Sequence, residues 1–302
     1  MARSLGRGKK GQERDLSTEV TQADISQGLR ELGLTAGDGV MVHSSLRSFG
    51  RVAGGARAVV EALCEVLTPD GTLLMPSFNH GELFKAGQPG YFSPVESRTT
   101  NGAIPDLFWR LPNVYRSLNP THSFAAWGMR AHEYTEWHHR TLTTGADSPL
   151  GRLWRDGGYG LLLGVSYRAN TFHHVTEILM NAPCLGKRTE AYPIVLPDGR
   201  RVESRTWGWR ERGCPLNGPA LYGDFMSEGG LDRRVRIGEC EAVLFRLDDC
   251  FDVVSELLAG GTRNLAPCKR CEIKARRIAT TVESDWDEER NCLRADSAAW
   301  GY

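Results

Sequence analysis

No stretch of this chain approaches the roughly 20 consecutive apolar residues that a membrane helix requires. The basic N-terminus, MARSLGRGKKGQERDLS, is not followed by the apolar core of a signal peptide. A cytoplasmic protein with no membrane partner is the expectation. Net charge is absent as well, because 37 basic side chains meet 37 acidic ones, so no global field draws the molecule to nucleic acid or to an anionic surface. Cysteine is thin, eight among 302 residues, and a chain this long needs no disulfide staples, which makes reduced thiols the default. The CxxC at Cys268 and Cys271 shows no second ligand pair at zinc-site spacing, and it does not sit at the strand-to-helix junction of a redox motif. No metal is expected.

What is present suffices for a full core. A 302-residue chain of 40% hydrophobic composition can fold as one large domain, alone or with a smaller annex. Residues 1–17 are Gly, Lys and Arg rich without periodicity and read as a solvated, disordered tail. Thr21 with Asp24 forms a capping pair that opens an amphipathic helix carrying Ile25, Leu29 and Leu32. A short strand, Val40 to Val42, is followed by the polar turn HSSLRSFGRVAGG. A helix with Val59, Val60, Leu63, Val66 and Leu67 at helical spacing comes next, then the turn TPDG and a strand from Thr72 to Met75. Strand, turn, helix and strand make a βαβ unit with a right-handed crossover and a sheet that is at least partly parallel.

The turn of that unit gathers Ser44, Ser45 and Ser48 with Gly50, Gly54 and Gly55, where backbone amides and hydroxyls can hold a phosphate or a developing oxyanion. It is neither a GxxxxGK(S/T) loop nor a GxGxxG fingerprint, so nucleotide hydrolysis and dinucleotide binding gain no support from it. Residues 77–120 are irregular and interrupted by Pro89, Pro94, Pro105, Pro112 and Pro120, a length more typical of lids and walls than of simple connections. After residue 190, two β-like runs flank Pro197-Asp198-Gly199 as a hairpin, and residues 187–245 read as a smaller, strand-rich subdomain. A helix from Asp249 to Leu258 closes the globular part, and residues 266–302 form a charged extension.

The most informative stretch is GLLLGVSYRANTFHHVTEILM, Gly160 to Met180. It carries a buried strand into a helix whose first turns hold His173, His174 and Glu177, and the end of such a strand is where α/β proteins keep their chemistry. His174 and Glu177 are three apart and His173 and Glu177 four apart, so either imidazole can meet the carboxylate. The helix dipole disfavours an imidazolium and the carboxylate favours it, a balance that suits a general base near neutral pH.

Four blocks occur in order: VMVHSSLRSFGRVAGGARAVVEAL with TPDGTLLMPSF, NPTHSFAAWG, DSPLGRLW with LLLGV, and NTFHHVTE. Together they resemble the antibiotic N-acetyltransferase family, whose best-known members are the aminoglycoside 3-N-acetyltransferases. The resemblance implies a three-layer α/β/α fold with a mixed central sheet, distinct from the GCN5-related enzymes, with the acyltransferase domain over residues 18–265. It implies acetyl-CoA, or another acyl-CoA, as co-substrate and a small-molecule amine as acceptor. It places the catalytic histidine at His174 and its carboxylate partner at Glu177. It assigns CoA contacts to Ser44, Ser45, Leu46 and Arg47, further cofactor or pocket contacts to Ser148, and the acceptor side to Thr121 and His122.

His173 falls where the family is usually apolar and reads as a wall or helix-surface residue. His43 reads as a packing or hydrogen-bonding end to the first strand, His122 as pocket or structure, and His138 and His139 as a solvated face. The implied chemistry is direct transfer, with oxyanion donors among the backbone amides of Ser44 to Gly55 and no acyl-cysteine. Two acceptor classes stay open. An aminoglycoside calls for an acidic pocket, whereas the segment after the hairpin carries Arg200, Arg201, Arg205, Arg210 and Arg212 against Glu203 and Glu211, with Trp207 and Trp209 nearby. That composition suits a different amine of natural-product metabolism, its carboxylate or phosphate held by arginine. A non-catalytic binding module is the third reading, and the sequence leaves monomer or homodimer open.

Overall fold

The computed structural model describes residues 19–180, 188–207, 221–259, 286–287 and 292–293. The N-terminal tail, the CxxC at Cys268 and Cys271, and Arg210, Arg212 and Trp209 lie outside them. In chain order the elements are α1 (Gln22–Glu31), β1 (Gly39–Ser44), α2 (Gly55–Leu67), β2 (Thr72–Pro76), α3 (Ala103–Phe108), β3 (Tyr115–Arg116), β4 (Phe124–Gly128), α4 (Ala131–Thr135) and α5 (Pro149–Arg155). There follow β5 (Tyr159–Leu163), α6 (His173–Leu179), β6 (Arg188–Val195), β7 (Arg201–Trp207), α7 (Leu221–Glu228), β8 (Asp232–Ile237), β9 (Cys240–Arg246) and α8 (Leu247–Ala259), then a short pair, β10 (Trp286–Asp287) and β11 (Cys292–Leu293).

The local signals act as their chemistry dictates. Thr21 and Asp24 close a full capping box on α1, each side chain accepting from the other's backbone N–H, which satisfies two of the helix's orphan donors. In α2, Val59, Val60, Leu63, Val66 and Leu67 are all buried. Ser148 caps α5 by accepting from the Gly151 N–H.

Seven strands form one mixed sheet in the order β3-β4-β2-β1-β5-β9-β8. β1 pairs in parallel with β2 and with β5, while β4, β3, β9 and β8 are added antiparallel outside that trio. Period-two alternation divides the strands between two cores. Val40, Val42, Leu73, Met75, Leu161 and Leu163 face one core, closed by Ile25 and Leu29 of α1, Val59 and Leu63 of α2, and Ile104 and Phe108 of α3. Met41, Leu74, Leu162, Val243 and Phe245 face the other, closed by residues of α4 to α8 such as Leu150, Val175, Tyr222 and Val254. The architecture is therefore three layers, α/β/α, as the resemblance implied.

The chain leaves β1 toward β2 through α2 on one face, and later enters β5 on the other side of β1 after α5 on the opposite face. The strand order thus reverses between β1 and β5, and the crevice beyond their carboxyl ends is the topological switch point at which open α/β sheets bind ligands. The 187–245 region departs from its sequence reading. The hairpin β6–β7 does form its own sheet, but β8 and β9 extend the central one, because β9 presents alternating Val243 and Phe245 to the core and pairs along all of β5. The hairpin packs instead on the long loop, through a bridge between Phe92 and Ile194 and a small core of Phe92, Ile194 and Val202.

Gly160 in β5 lies directly under its cross-strand partner Phe245, whose ring fills the space a Cβ would need. Gly160→Ala is expected to destabilise the fold by about 1–3 kcal/mol through overpacking, read as a lower urea midpoint with an unchanged slope.

Candidate active site

Three strand ends meet at the switch point. At the end of β1, the Ser45 N–H donates to Leu163 O at 2.9 Å and so continues the pairing with β5. The chain then turns through a single 3-10 turn, Leu46–Phe49, in which the Ser48 hydroxyl donates to Ser45 O at 2.6 Å. Gly164, just past β5, has φ +65°, and a Cβ there would collide with the Ser48 side chain. Only glycine lets the HSSLRS turn seat this closely on β5. The Ser44 hydroxyl is enclosed and has no hydrogen-bond partner among the described residues, a state that buried polar groups rarely keep without a ligand or water. Leu46 is half-buried and Arg47 exposed.

Beside β1, the end of β2 and the start of β4 form a polar wall. The N–H groups of Asn79 and His80 both donate to Thr121 O at 3.1 Å. Asn119 Oδ1 accepts from the N–H groups of Thr121 and His122 at 3.1 and 2.8 Å, which fixes the backbone of both predicted acceptor-side residues. Thr121 Oγ1 and His122 Nδ1 lie 2.8 Å apart. His122 packs against Phe78 and His80 with ring centroids 4.7 and 5.2 Å away. Burial, reinforced by the neighbouring His80, His174 and His138, holds its imidazole well below the usual histidine range.

On the β5 side, a turn leads into α6. His43 is buried on β1, and its Nε2 accepts from the Thr171 N–H at 3.2 Å, so the strand end clamps the entry to the helix. Burial pulls the His43 imidazole down to about 4, which keeps Nε2 free to accept. Asn170 Oδ1 accepts from the Phe172 N–H at 3.1 Å. α6 then presents His174 Nδ1 to Glu177 Oε2 at 2.8 Å. The Glu177 side chain is 0% exposed and that of His174 21%, so a fully enclosed carboxylate orients a partly open imidazole. A carboxylate only accepts, so in the neutral imidazole the tautomer is the one with the proton on Nδ1 and the lone pair on Nε2. Of the two histidines that could have met Glu177, the helix selects His174. His173 is buried, its Nδ1 3.1 Å from the Tyr222 hydroxyl of α7, and its ring centroid lies 4.2 Å from that of His174.

The structure therefore gathers His174, Glu177, Thr121, His122 and the Ser44 to Arg47 turn at one edge of the sheet. Ser148 is different in kind. It is fully buried, and its hydroxyl both accepts from Gly151 N at 3.1 Å and donates to Gly145 O at 2.6 Å, so it is consumed within its own turn.

His138 and His139 are a correction: both are buried rather than solvated. His138 Nε2 donates to Thr143 O at 2.9 Å and Nδ1 faces the Ser117 hydroxyl at 2.8 Å. Burial draws His138 down to about 3 and His139 to about 4. The reading failed because the 137–145 turn is covered by the hairpin, through the Ser204 hydroxyl donating to His139 O at 2.9 Å.

Sequence reasoning also passed over His80 and Arg116. His80 lies four residues past Pro76, the last residue of β2, in the loop beyond a strand end that itself marks a site region. Arg116 links Ser77 O at 2.9 Å to Ser97 O at 2.5 Å and lies 4.2 Å over the Trp109 ring. Burial pulls its guanidinium down to about 9, and no local signal announced it.

The buried histidines set a pH dependence. In the folded state His43, His138 and His139 protonate near 4, 3 and 4, against about 6.5 in an unfolded chain. Below pH 6.5 the unfolded state takes up protons that the folded state refuses, so stability falls as pH drops toward 4. The loss is at most about 1.4 kcal/mol per pH unit for each histidine. Denaturant titrations at pH 7 and pH 5 are expected to show that loss, with a shallower dependence in His138→Gln; equal stability at both pH values would refute the buried, neutral assignment.

A family profile described as aminoglycoside 3-N-acetyltransferase matches residues 41–259. Aminoglycoside N(3)-acetyltransferase VII of Streptomyces paromomycinus is 34% identical over 260 residues, covering 77% of this chain and 89% of that protein. Among solved structures, the binary complex of AAC-IIIb with CoASH superposes with a TM-score of 0.71 at 26% identity, covering 83% of this chain and all of that one. A point mutant of aminoglycoside acetyltransferase AAC(3)-IVa bound to gentamicin superposes with a TM-score of 0.70 at 30% identity, covering 87% and 99%. With its α/β/α sheet, its His174–Glu177 pair and a match that spans most of its length, the chain belongs to the aminoglycoside 3-N-acetyltransferase family of acyltransferases.

Proposed function

We propose that this protein transfers an acetyl group from acetyl-CoA to an amine of an aminoglycoside, with His174 as general base and Glu177 as its orienting partner. The observation that carries the proposal is the 2.8 Å bond from His174 Nδ1 to a fully enclosed Glu177 at the switch point of the sheet. CoASH in one structural neighbour and gentamicin in another support the donor and acceptor classes.

An acetyl thioester is already activated, so the enzyme must chiefly orient the amine, take its proton and stabilise the tetrahedral oxyanion. The amine attacks while neutral, and the C–N bond forms at the thioester carbonyl. His174 Nε2 takes the proton, Glu177 stabilises the imidazolium, and as the C–S bond breaks the proton passes from His174 to the departing sulfur, which releases CoA as the thiol and restores the neutral imidazole. The amides of Ser45, Ser48, Gly50, Ala53 and Gly55 are already bonded to carbonyls. The leading amides of a helical turn have no intrahelical acceptor, so Leu46 and Arg47 are the candidate oxyanion or cofactor donors, beside the unpartnered Ser44 hydroxyl. Thr121 and His122 form the acceptor wall, and Ser148 acts on the site by holding its turn.

An acyl-cysteine route finds no support among the described cysteines. Burial raises the Cys64 and Cys240 thiols to about 11 and the Cys250 thiol to about 12, so each stays protonated and non-nucleophilic.

The arginine-rich hairpin favours a second reading, acylation of a different, anionic amine. Arg200 is already paired with Asp198 at 2.6 Å in the hairpin turn, which leaves Arg201 as the exposed charge with a described side chain.

Acetyl-CoA with a panel of aminoglycosides and unrelated amines, followed by CoA thiol release and product mass, separates the two readings. An acetylated aminoglycoside supports the first, and turnover restricted to another amine supports the second. His174→Ala is expected to lower kcat about 10² to 10⁴-fold with acetyl-CoA binding retained. Wild-type turnover in that variant would remove His174 from the mechanism.

A further inference from the structure

His173 has no part in the proposed transfer chemistry, yet it is nearly completely buried and its ring packs against that of the proposed base at a tilt of 47°. The Tyr222 hydroxyl donates to Tyr167 O at 2.7 Å, so its oxygen accepts from His173 Nδ1–H at 3.1 Å. That relay leaves Nε2 of His173 with the lone pair. Imidazoles held in one tautomer by a second hydrogen bond are the usual form of a metal-ligating histidine. His173, His174 and Glu177 each present one ligand atom, and the three atoms lie within 4.8 Å of one another.

We infer that His173, His174 and Glu177 form a binding site for a borderline divalent transition ion of the Zn²⁺ class. The donor set is two imidazoles and a carboxylate, with further coordination positions for water. This matches three-ligand zinc sites, and bonds of about 2.0–2.2 Å require side-chain movements of less than about 1 Å from the present positions. Two nitrogen ligands favour Zn²⁺ or Co²⁺ over Mg²⁺ or Ca²⁺. The partial exposure of His174, 21% against 0% for Glu177, gives an ion its path in. Once there, the ion takes the place of the proton shared by His174 and Glu177, and binding releases that proton. The ion is not a cofactor, because acetyl transfer from a thioester has no use for it. It competes with the proton on the catalytic pair, and this consequence for activity rests on the reading of His174 as base.

The test is a Co²⁺ titration of the full chain in a Cys268→Ser, Cys271→Ser background, so that the CxxC thiolates cannot contribute and any other thiolate ligand is revealed by sulfur charge-transfer absorption. The expected result is one saturable equivalent with visible d–d absorption, lacking sulfur charge-transfer bands, displaced by Zn²⁺ and not by Mg²⁺. His173→Leu is expected to weaken binding at least tenfold. Tyr222→Phe, which removes the orienting hydroxyl, should weaken it about tenfold and serves if His173→Leu fails to fold. Absence of saturable binding, or unchanged affinity in the folded variants, overturns the site. Inhibition by Zn²⁺ that is relieved in His173→Leu supports both readings together. Full occupancy without inhibition upholds the metal site and overturns His174 as the base.

Discussion

Everything at the functional edge depends on β1 being held from four sides. Its neighbours β2 and β5 pair with it in parallel, and its alternating Val40, Met41 and Val42 are buried in opposite cores. A strand covered on both faces and both edges has no freedom to slip, since a one-residue shift would exchange its two faces. The ends of β1 and β5 are therefore fixed in register, Ser44 opposite Leu163. The close seating of Ser48 over Gly164 and the bond from Thr171 to His43 both follow from that register.

Around this point the protein buries a set of polar side chains and satisfies most of them without formal charge. His43, His122 and His138 are kept from protonating by burial, and each is bonded to a backbone or hydroxyl group suited to a neutral ring. Asn79 ties the β2 end to the turn before β4 by donating to Pro120 O, and Asn119 braces that turn by accepting from the Thr121 and His122 N–H groups. Arg116 keeps its charge by spreading it over carbonyls, hydroxyls and the faces of Trp109 and Phe92. Such a network is stiff, because each unsatisfied member would cost about 1–3 kcal/mol. That stiffness is what a site needs to hold a base and an acceptor in a reactive geometry.

Against that neutral background the pair of His174 and Glu177 stands out by exposure rather than by residue type. The described part of the chain holds several buried histidines, but the imidazole that is both bonded to a carboxylate at 2.8 Å and partly open to solvent is that of His174. His132 also faces a carboxylate, Glu136 at 3.6 Å, but that carboxylate is partly exposed, unlike the enclosed Glu177, and the His132 side chain is 66% exposed. What sets His174 apart from the enclosed histidines is what surrounds its ring.

The sequence by itself determined the elements whose signals are local. The Thr21–Asp24 capping box, the helical spacing of Val59 to Leu67, the Pro-Asp-Gly hairpin and the three-residue spacing of His174 and Glu177 each act within one or two turns of chain, so composition and period suffice to read them. The ordered blocks carried the family and, with it, the three-layer architecture. Spacing left both His173 and His174 in reach of the carboxylate and the resemblance named His174; the tertiary structure supplies the physical reason, since the packing of α7, through Tyr222, takes His173 away. It also buried His138 and His139 beneath the hairpin, carried β8 and β9 into the central sheet, and drew His80 and Arg116 to the strand ends. These outcomes depend on contacts between segments tens of residues apart, and a side chain's burial is set by what the fold lays over it, not by its neighbours in the chain.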